Sequence, residues 1–315
     1  MPKNKLITIL LVSLLISIAI YMFTFTGTKL DYVLPRRGFK VLAMLLVSFA
    51  IGYSSVIFQT ITANRILTPS IMGFDSFFLL LQSLIVLWYG DRTFQVLGSE
   101  WNFALSVVLM MVFAMVMYFA VFKRESKGLY TLLLVGLLIG TLFKSGASFI
   151  MLLIDPNEFS MIQNAMFASF ERINLKILGI AAVILVATML YGIRYFKQLD
   201  VISLGRDHAI SLGVNYHKVV RANLIFISIM VAVSTALVGP ITFLGLLVAN
   251  LTYELVKKNN HALIVFTCCL LTSVTVVGAQ YLVEHLFNMT TTVSIIINFV
   301  GGVYFIYLLL KSNKV

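Results

Sequence analysis

Long apolar segments recur along the whole chain and restrict it to one class of structure. Of the 315 residues, 60% are hydrophobic and 11% are charged, and the mean hydropathy is +1.02. A soluble domain carries about 25% charged residues, whereas a membrane-spanning helix needs about 20 apolar residues. We predict an all-α polytopic membrane protein, a single transmembrane domain over residues 1–315 with about ten spans. These are Leu6–Phe25, Phe39–Gln59, Ile71–Tyr89, Phe103–Phe122, Leu129–Ile154, Ile173–Tyr195, Ala222–Val238, Ile241–Val256, Ala262–Val283 and Val293–Leu310.

Two details of this span assignment need comment. The seventh and eighth segments are short and almost touch at Gly239-Pro240, so they form either two spans or one bent re-entrant unit. The first segment is too long for the apolar region of a signal peptide, and no small-residue cleavage site follows it. We therefore expect the first segment to stay in place as a span.

The net charge of +11 is unevenly distributed between the two sides of the membrane. With the N-terminus inside, the outer loops carry Lys29, Arg36, Arg37, Lys40, Arg92, Arg172 and Lys176. The inner side carries Lys3, Lys5, Arg65, Lys123, Arg124, Lys127, Arg194, Lys197, Arg206, Lys218, Arg221, Lys257, Lys258, Lys311 and Lys314. This bias predicts both termini in the cytosol. The charge then indicates topology and contact with anionic membrane lipid rather than nucleic-acid binding.

Motifs for catalysis are missing from the sequence. The segment Gly140–Gly146 comes nearest to a phosphate-binding loop, but it lacks the Gly-Lys-Ser/Thr order and lies inside a span. The four histidines lie in loops or at span ends and are not clustered, so no metal or catalytic constellation can be argued. We predict no enzyme activity, no cofactor and no metal site, and any ATP hydrolysis must come from another chain.

The longest polar interruption on the cytosolic side runs from Arg194 to Arg221 and is patterned. Gly205 precedes a predicted short helix, Asp207 lies near its start and Gly213 follows its last apolar residue. An acidic residue near a helix start offsets the helix dipole, and glycine is a common residue after a helix end. A capped cytosolic helix suits docking to another protein.

Two segments pair a proline with a glycine four or five residues later, after the second and the seventh spans. They are Thr68–Gly73 and Gly239–Gly245. Because those spans run in opposite directions, the echo either reflects an inverted repeat of the kind found in transporters or is chance. The outer segment 155–172 mixes apolar and polar residues at helical spacing, so it forms either a short surface helix or an ordinary loop.

Basic residues at two places in the chain each have two possible roles. Lys144 is the one charge clearly within a span, in its outer half; it either snorkels to the interface or lines a cavity for an anionic solute. The outer pair Arg36 and Arg37, with Lys40, either anchors the chain to lipid phosphates or forms a salt-bridge footprint for an acidic partner.

Several motifs together resemble the FecCD-type permeases of importers for ferric siderophores, haem and cobalamin. Leu34-Pro35-Arg36 matches the family's Leu-Pro-Arg. Gln59 with Ala63–Gly73 resembles its Gln and Arg-Asn-Pro-Leu-Ala-x-Pro-x-x-Leu-Gly segment. Leu204–Val214 matches every fixed position of its coupling loop, Leu-Gly-x-x-x-Ala-x-Ser-Leu-Gly-Val, and Gly239–Leu246 resembles Gly-x-Ile-x-Phe-Val-Gly-Leu.

The chain also departs from the family pattern. Ala249, Asn250 and Tyr253 stand where the family has Pro-His-x-x-Arg, so no role is carried over to them. Arg65 replaces the proline of Asn-Pro, and Asp75 replaces the first serine of Gly-x-Ser-Ser. These departures resemble the branch in which two different permeases pair, often for catechol-type siderophores.

The resemblance implies an inverted-repeat type II permease fold in a bacterial cell membrane. Two permeases, identical or more typically related, would form a path between an extracytoplasmic solute-binding (lipo)protein and two cytosolic ATP-binding subunits. The coupling loop, residues 196–221, would contact the ATPases through Leu204, Gly205, Arg206, Asp207, His208, Ala209, Ser211, Leu212, Gly213 and Val214. Arg36 and Arg37 would dock the binding protein, and the path would include Gln59, Gly73, Lys144, Gly239, Pro240 and Gly245.

The function implied is ATP-driven import of an iron–siderophore complex. An alternative is a secondary carrier for an organic anion that uses Lys144 as the substrate counter-charge. Its weakness is the shortage of carboxylates inside the spans, because ion-coupled carriers usually place ionisable groups there.

Overall fold

The computed structural model describes residues 3–24, 30–90, 98–122, 129–171, 173–257 and 260–312. Within these ranges all regular structure is helical, with short 3₁₀ helices at Pro69–Met72 and Ile193–Tyr195. The α-helices are α1 Lys3–Phe23, α2 Leu30–Thr62, α3 Phe74–Tyr89, α4 Gly98–Phe122, α5 Leu129–Leu153, α6 Pro156–Met166, α7 Leu175–Gly192, α8 Phe196–Ile202, α9 Arg206–Ser211, α10 Tyr216–Val238, α11 Leu244–Leu255, α12 His261–His285 and α13 Val293–Ser312.

The helices confirm the predicted span assignment. In the described part of the chain, 7 helical segments are long and apolar enough to cross a membrane, and α3, α11 and α13 are shorter apolar helices. Together they account for every predicted segment. The seventh and eighth segments are separate helices, since α10 alone has 23 residues. Helix α2 begins at Leu30 rather than at Phe39, because an apolar run marks only the part of a helix inside the bilayer. In the outer segment 155–172, for which a short helix and an ordinary loop were both open, Pro156–Met166 form the helix α6.

Helix α2 occupies the centre of the bundle. It packs along α12 most extensively, and also against α10, α11, α7 and α8. Most of α2, α10 and α12 is buried within the chain, whereas α1 and α5 are largely exposed. Exposed leucines are stable on helices that face lipid, so the peripheral positions of α1 and α5 fit their uniformly apolar composition.

The end of α1 and the beginning of α2 are joined by Arg37, which defines what we name the Arg37 end of the bundle. Its guanidinium is buried and donates to the backbone carbonyls of Tyr21 at 2.8 Å, Met22 at 3.1 Å and Thr24 at 2.7 Å. The last carbonyls of a helix have no partner within it. Arg37 therefore caps α1 and fixes it against α2.

A buried ionic cluster lies beside this cap. Lys40 Nζ on α2 contacts Glu171 Oε2 at 2.6 Å and Glu284 Oε1 at 3.2 Å. Gln280 Nε2 donates to both carboxylates, and the Tyr21 hydroxyl donates to Glu284 at 2.7 Å. The cluster thus ties α2, α12, α1 and the segment after α6. Lys40 has no freedom to anchor lipid, because it is fully engaged inside the protein.

The predicted topology depends in part on basic residues that the structure does not describe. Lys29, Arg92, Lys123, Arg124, Lys127, Arg172, Lys258 and Lys314 lie outside the described residues. The placement of both termini in the cytosol therefore stays a prediction.

Removing the Lys40 ammonium should destabilise the bundle. Lys40→Met leaves two carboxylates without their counter-charge, and we expect a loss of about 3–5 kcal/mol in unfolding free energy. Unfolding in detergent can be followed with a thiol-reactive fluorophore, since the free cysteines Cys268 and Cys269 are buried. Arg36→Met is the matched control, because Arg36 is exposed and surface changes stay within about 0.5 kcal/mol. Equal unfolding midpoints for the two variants would contradict the stabilising role of the cluster.

Candidate coupling and translocation sites

The predicted short helix in the polar loop is present as α9. It begins after Gly205, whose φ is 111°, and is followed by Gly213, whose φ is 82°. Ala209 is fully buried and anchors the helix, while its acidic Asp207 lies in the first turn, as predicted. The helix rests on α8 on one side and on the start of α10 on the other. It lies at the end of the bundle opposite Arg37, which we name the Asp200 end after a residue of α8.

Three large apolar side chains around α9 are exposed. Leu204 is 54% exposed, Ile210 48% and Leu212 64%, on a segment that also presents Arg206 and His208. A cluster of exposed apolar residues rimmed by polar ones marks a protein-interaction surface. This chemistry suits a docking surface that includes the predicted Leu204, Arg206, His208 and Leu212 and adds Ile210. The predicted contact residue Ala209 is instead buried, and the coupling role stays a prediction.

The two proline–glycine segments meet inside the bundle. Gly73 has a φ of 90° and Gly239 has a φ of 101°. Residues with a side chain rarely adopt this backbone conformation. A Cβ on Gly73 would lie 2.9 Å from the Cα of Gly140 on α5, and one on Gly239 would lie 3.1 Å from the Cα of Ala168. Both positions therefore combine an unusual backbone with a close approach, which explains why glycine occupies them.

Two short helices start at this meeting point and run in opposite directions. The Thr242 hydroxyl, just before α11, donates to Asp75 Oδ2 at the start of α3 at 3.0 Å. Helix α3 ends at Gly90, against Glu158 of α6 on the Arg37 side, whereas α11 ends beside Arg65 on the Asp200 side. This arrangement favours an inverted repeat over chance. Asp75 is buried here, within the bundle.

A small polar cavity lies between the two segments. Two predicted path residues, Gly239 and Gly245, line the cavity. Seven hydroxyl-bearing side chains line it as well: Ser54, Ser55, Thr68, Ser70, Ser234, Thr235 and Thr242. A second cavity opens at the Arg37 end and is lined by Glu171, Gln280 and a run of threonines. Ala168 borders that second cavity and packs on Gly239, so this contact separates the two spaces.

Gln59 lies away from that cavity. Its amide donates to the carbonyl of Arg65 at 2.9 Å, and Asn250 donates to the same carbonyl at 2.9 Å. The Arg65 guanidinium lies 4.8 Å from the ring centroid of Tyr253. Arg65 thus contacts both Asn250 and Tyr253, so three departures from the family pattern form one altered patch.

Lys144 belongs to an exposed polar stripe on α5. Thr141, Lys144 and Ser145 are all exposed, one helical turn apart or adjacent. Gly140, one helical turn before Lys144, packs on Gly73, but the Lys144 side chain itself is exposed. The structure thus places Lys144 on the outside of the single chain, apart from the hydroxyl-lined cavity.

The two arginines predicted to dock a binding protein have different environments. Arg37 is buried in the α1 cap, whereas Arg36 is exposed and lines an open cavity with Asp31 and Phe39. The docking role stays a prediction, and Arg36 is the member of the pair that a partner could reach.

A polar contact at the Asp200 end was not anticipated from the sequence. Asp200 Oδ1 accepts from the backbone N–H of His261 at 2.7 Å and lies 2.6 Å from its Nδ1. His261 Nε2 lies 2.9 Å from the Thr60 hydroxyl of α2. Asp200 and His261 are 61 positions apart, so spacing along the chain carried no signal for this contact.

Comparison with known proteins agrees with this geometry. The FecCD transport family profile matches residues 5–311. The petrobactin import system permease protein YclO of Bacillus subtilis is 48% identical over 313 residues, covering 99% of each chain. The permease protein FatC of the petrobactin import system of Bacillus anthracis is 32% identical, covering 89% of this chain and 79% of its own.

A solved structure supports the same conclusion about the fold. The inward-facing conformation of a metal-chelate type ABC transporter superposes with a TM-score of 0.79 and 20% identity, covering 98% of this chain and 99% of that one. This confirms the predicted all-α fold of a type II importer permease. By its motifs, its fold and its match over nearly the whole length, the chain belongs to the FecCD transport family.

Proposed function

We propose that the chain is the permease subunit of an ATP-driven importer that passes an iron–siderophore complex of the petrobactin kind into the cell. The observation that carries the proposal is the 48% identity to a petrobactin import permease over 99% of both chains. The helical bundle, with its buried polar cavity and exposed coupling helix, is compatible with this role. The chain would itself perform no chemistry, and partner subunits would hydrolyse ATP.

The docking surface of α9 is assigned to the ATP-binding subunits. Leu204, Ile210 and Leu212 supply apolar contact area, and Arg206, Asp207 and His208 supply a polar rim. In protein interfaces a few well-packed central residues carry most of the binding energy. This assignment puts the Asp200 end in the cytosol and, with it, both termini.

The polar stripe of α5 is assigned to a second permease, identical or related, across a central path. Lys144 lies near the middle of α5 and is exposed in the single chain. A lysine at that depth is costly against lipid and usually faces a bundle interior or a water-filled cavity. A second permease packed along α5 would enclose Lys144 in a bundle interior beside a water-filled path. It would also place Lys144 beside an anionic metal chelate.

Arg36 is assigned to the docking of a solute-binding protein at the Arg37 end. It is exposed beside an open cavity, and complementary charge speeds the encounter of two proteins. The carrier alternative, by contrast, finds no support among the relatives named above.

Uptake by the purified complex tests the function. The permease with its co-purifying subunits, reconstituted in liposomes with binding protein and ⁵⁵Fe-labelled ferric petrobactin, should accumulate iron when ATP is present. Accumulation should persist with a protonophore, because the energy comes from ATP. Uptake that continues without ATP and collapses with the protonophore would instead establish the carrier.

An acidic residue in the docking surface should release the ATP-binding subunits. Because Leu212 is 64% exposed within this surface, Leu212→Asp should lower co-purification of the ATPase roughly tenfold. Leu286 is 67% exposed at the opposite end of the bundle, so Leu286→Asp is a matched control. ATPase recovery that is unchanged for Leu212→Asp, or equally low for both variants, would refute the assignment.

Charge reversal at Arg36 should weaken docking of the binding protein. We expect Arg36→Glu to slow association about fivefold at low salt, with a smaller difference at high salt because screening removes the effect. Lys176→Glu controls for net charge, since Lys176 is also exposed and pairs with Glu100 on that side. Surface plasmon resonance on the detergent-solubilised complex measures both rates, and equal association rates for the two variants would overturn the role of Arg36.

A further inference from the structure

The coupling helix is held to the bundle mainly through α8. Ala209 is the fully buried residue of α9, whereas on α8 Leu199 and Ile202 are both buried in the main core. Phe196 of α8 also packs its ring against Tyr53 of α2, with centroids 6.0 Å apart. A displacement of α9 by a docked ATPase must therefore move α8 with it.

One side chain of α8 reaches two spans. Asp200 Oδ1 accepts the backbone N–H of His261 at 2.7 Å and contacts its Nδ1 at 2.6 Å. Because a carboxylate oxygen can only accept, Nδ1 carries a proton. On its other side, the His261 ring places Nε2 2.9 Å from the Thr60 hydroxyl of α2. The His261 side chain is 3% exposed. A continuous polar connection, Asp200–His261–Thr60, thus joins α8 to the ends of α12 and α2.

The two spans at the end of this connection are joined again at their opposite ends. Lys40 of α2 pairs with Glu284 of α12 at 3.2 Å. At 1.5 Å per residue, Lys40 and Thr60 are about 30 Å apart along α2, which is the thickness of the hydrocarbon core. Helices α2 and α12 are therefore fastened to each other on both sides of the membrane and packed along the length between.

We propose that Asp200, His261 and Thr60 are positioning residues that transmit the movement of the coupling helix to α2 and α12. These two helices then move as one body. The inference rests on the proposed function and adds a route for the force. Covalent continuity through α7 and α10 is the competing route, since both helices adjoin the α8–α9 segment. The competing route predicts that the polar connection only stabilises the fold.

Two variants break or weaken the connection without touching the docking surface. Thr60→Val deletes the hydroxyl while keeping the shape, and Asp200→Asn removes the carboxylate charge. Thr62→Val is the matched control. In the described part of the chain the hydroxyls of Thr60 and Thr62 both bond carbonyls of α2, and that of Thr60 alone also contacts His261. Thr60→Ser keeps the hydroxyl and should restore the wild-type behaviour.

The measurement is iron transported per ATP hydrolysed in the reconstituted complex with ⁵⁵Fe-labelled ferric petrobactin. We expect Thr60→Val and Asp200→Asn to keep the ATPase bound and hydrolysing, while transport per ATP falls roughly fivefold or more. The double variant should fall no further than the worse single variant, because both changes interrupt one connection. Thr62→Val and Thr60→Ser should remain within about twofold of wild type.

Transport per ATP that is unchanged in both test variants overturns the proposal, as does an equal fall in Thr62→Val. A fall in complex stability with an unchanged ratio would assign the connection to folding alone and would also overturn it. Failure of the proposed function is distinct, because the wild-type complex would then show no ATP-dependent uptake. The ratio separates transmission from stability, since a partly unfolded population lowers transport and hydrolysis together.

Discussion

Two helices of this bundle, α3 and α11, begin inside it, and the other elements must satisfy the backbone groups that those beginnings expose. Unpaired backbone groups cost several kcal/mol in lipid, so non-helical chain at this depth has to be enclosed by protein. The enclosing elements are α2, α5, α10 and the segment around Ala168. The Thr242 to Asp75 hydrogen bond then joins the two beginnings directly. Asn298 of α13 accepts the backbone N–H of Phe243, just before α11, at 3.3 Å. The hydroxyl-lined cavity lies beside the same two helix beginnings.

Two polar contacts fix the position of α2 relative to α12. They are the ionic cluster of Lys40, Glu171 and Glu284 and the contact of Asp200 with His261. Each links elements far apart in sequence. The cluster joins α2 to α12 directly, and the Asp200–His261 contact reaches α2 through Thr60. Partnered charges of this kind can stay buried, whereas an isolated one would be expelled or neutralised. The central pair of helices therefore has a defined register. Apolar packing between two smooth surfaces specifies register less strongly than hydrogen bonds of fixed direction do.

The sequence was sufficient for the helical class, the spans and the short helix α9, because each depends on local composition. It also predicted that Gly73 and Gly239 lie at special positions. It did not reveal that Arg37 is a helix cap or that Lys40 is buried, since basic residues beside a span have the same local pattern whether they face water or protein. The contacts of Asp200 with His261, and of Arg65 with Tyr253, were equally hidden. They form between segments that only the tertiary fold brings together.

The exposed leucines and isoleucine around α9 have a consequence for the life of the subunit before assembly. Under the proposed function, Leu204, Ile210 and Leu212 stay exposed to water as long as no ATP-binding subunit is docked. Exposed apolar surface is what chaperones and proteases recognise on incompletely assembled proteins. The three side chains proposed to dock the ATP-binding subunits would then mark an orphan permease for removal. Subunit supply would then set how much of this chain persists in the membrane.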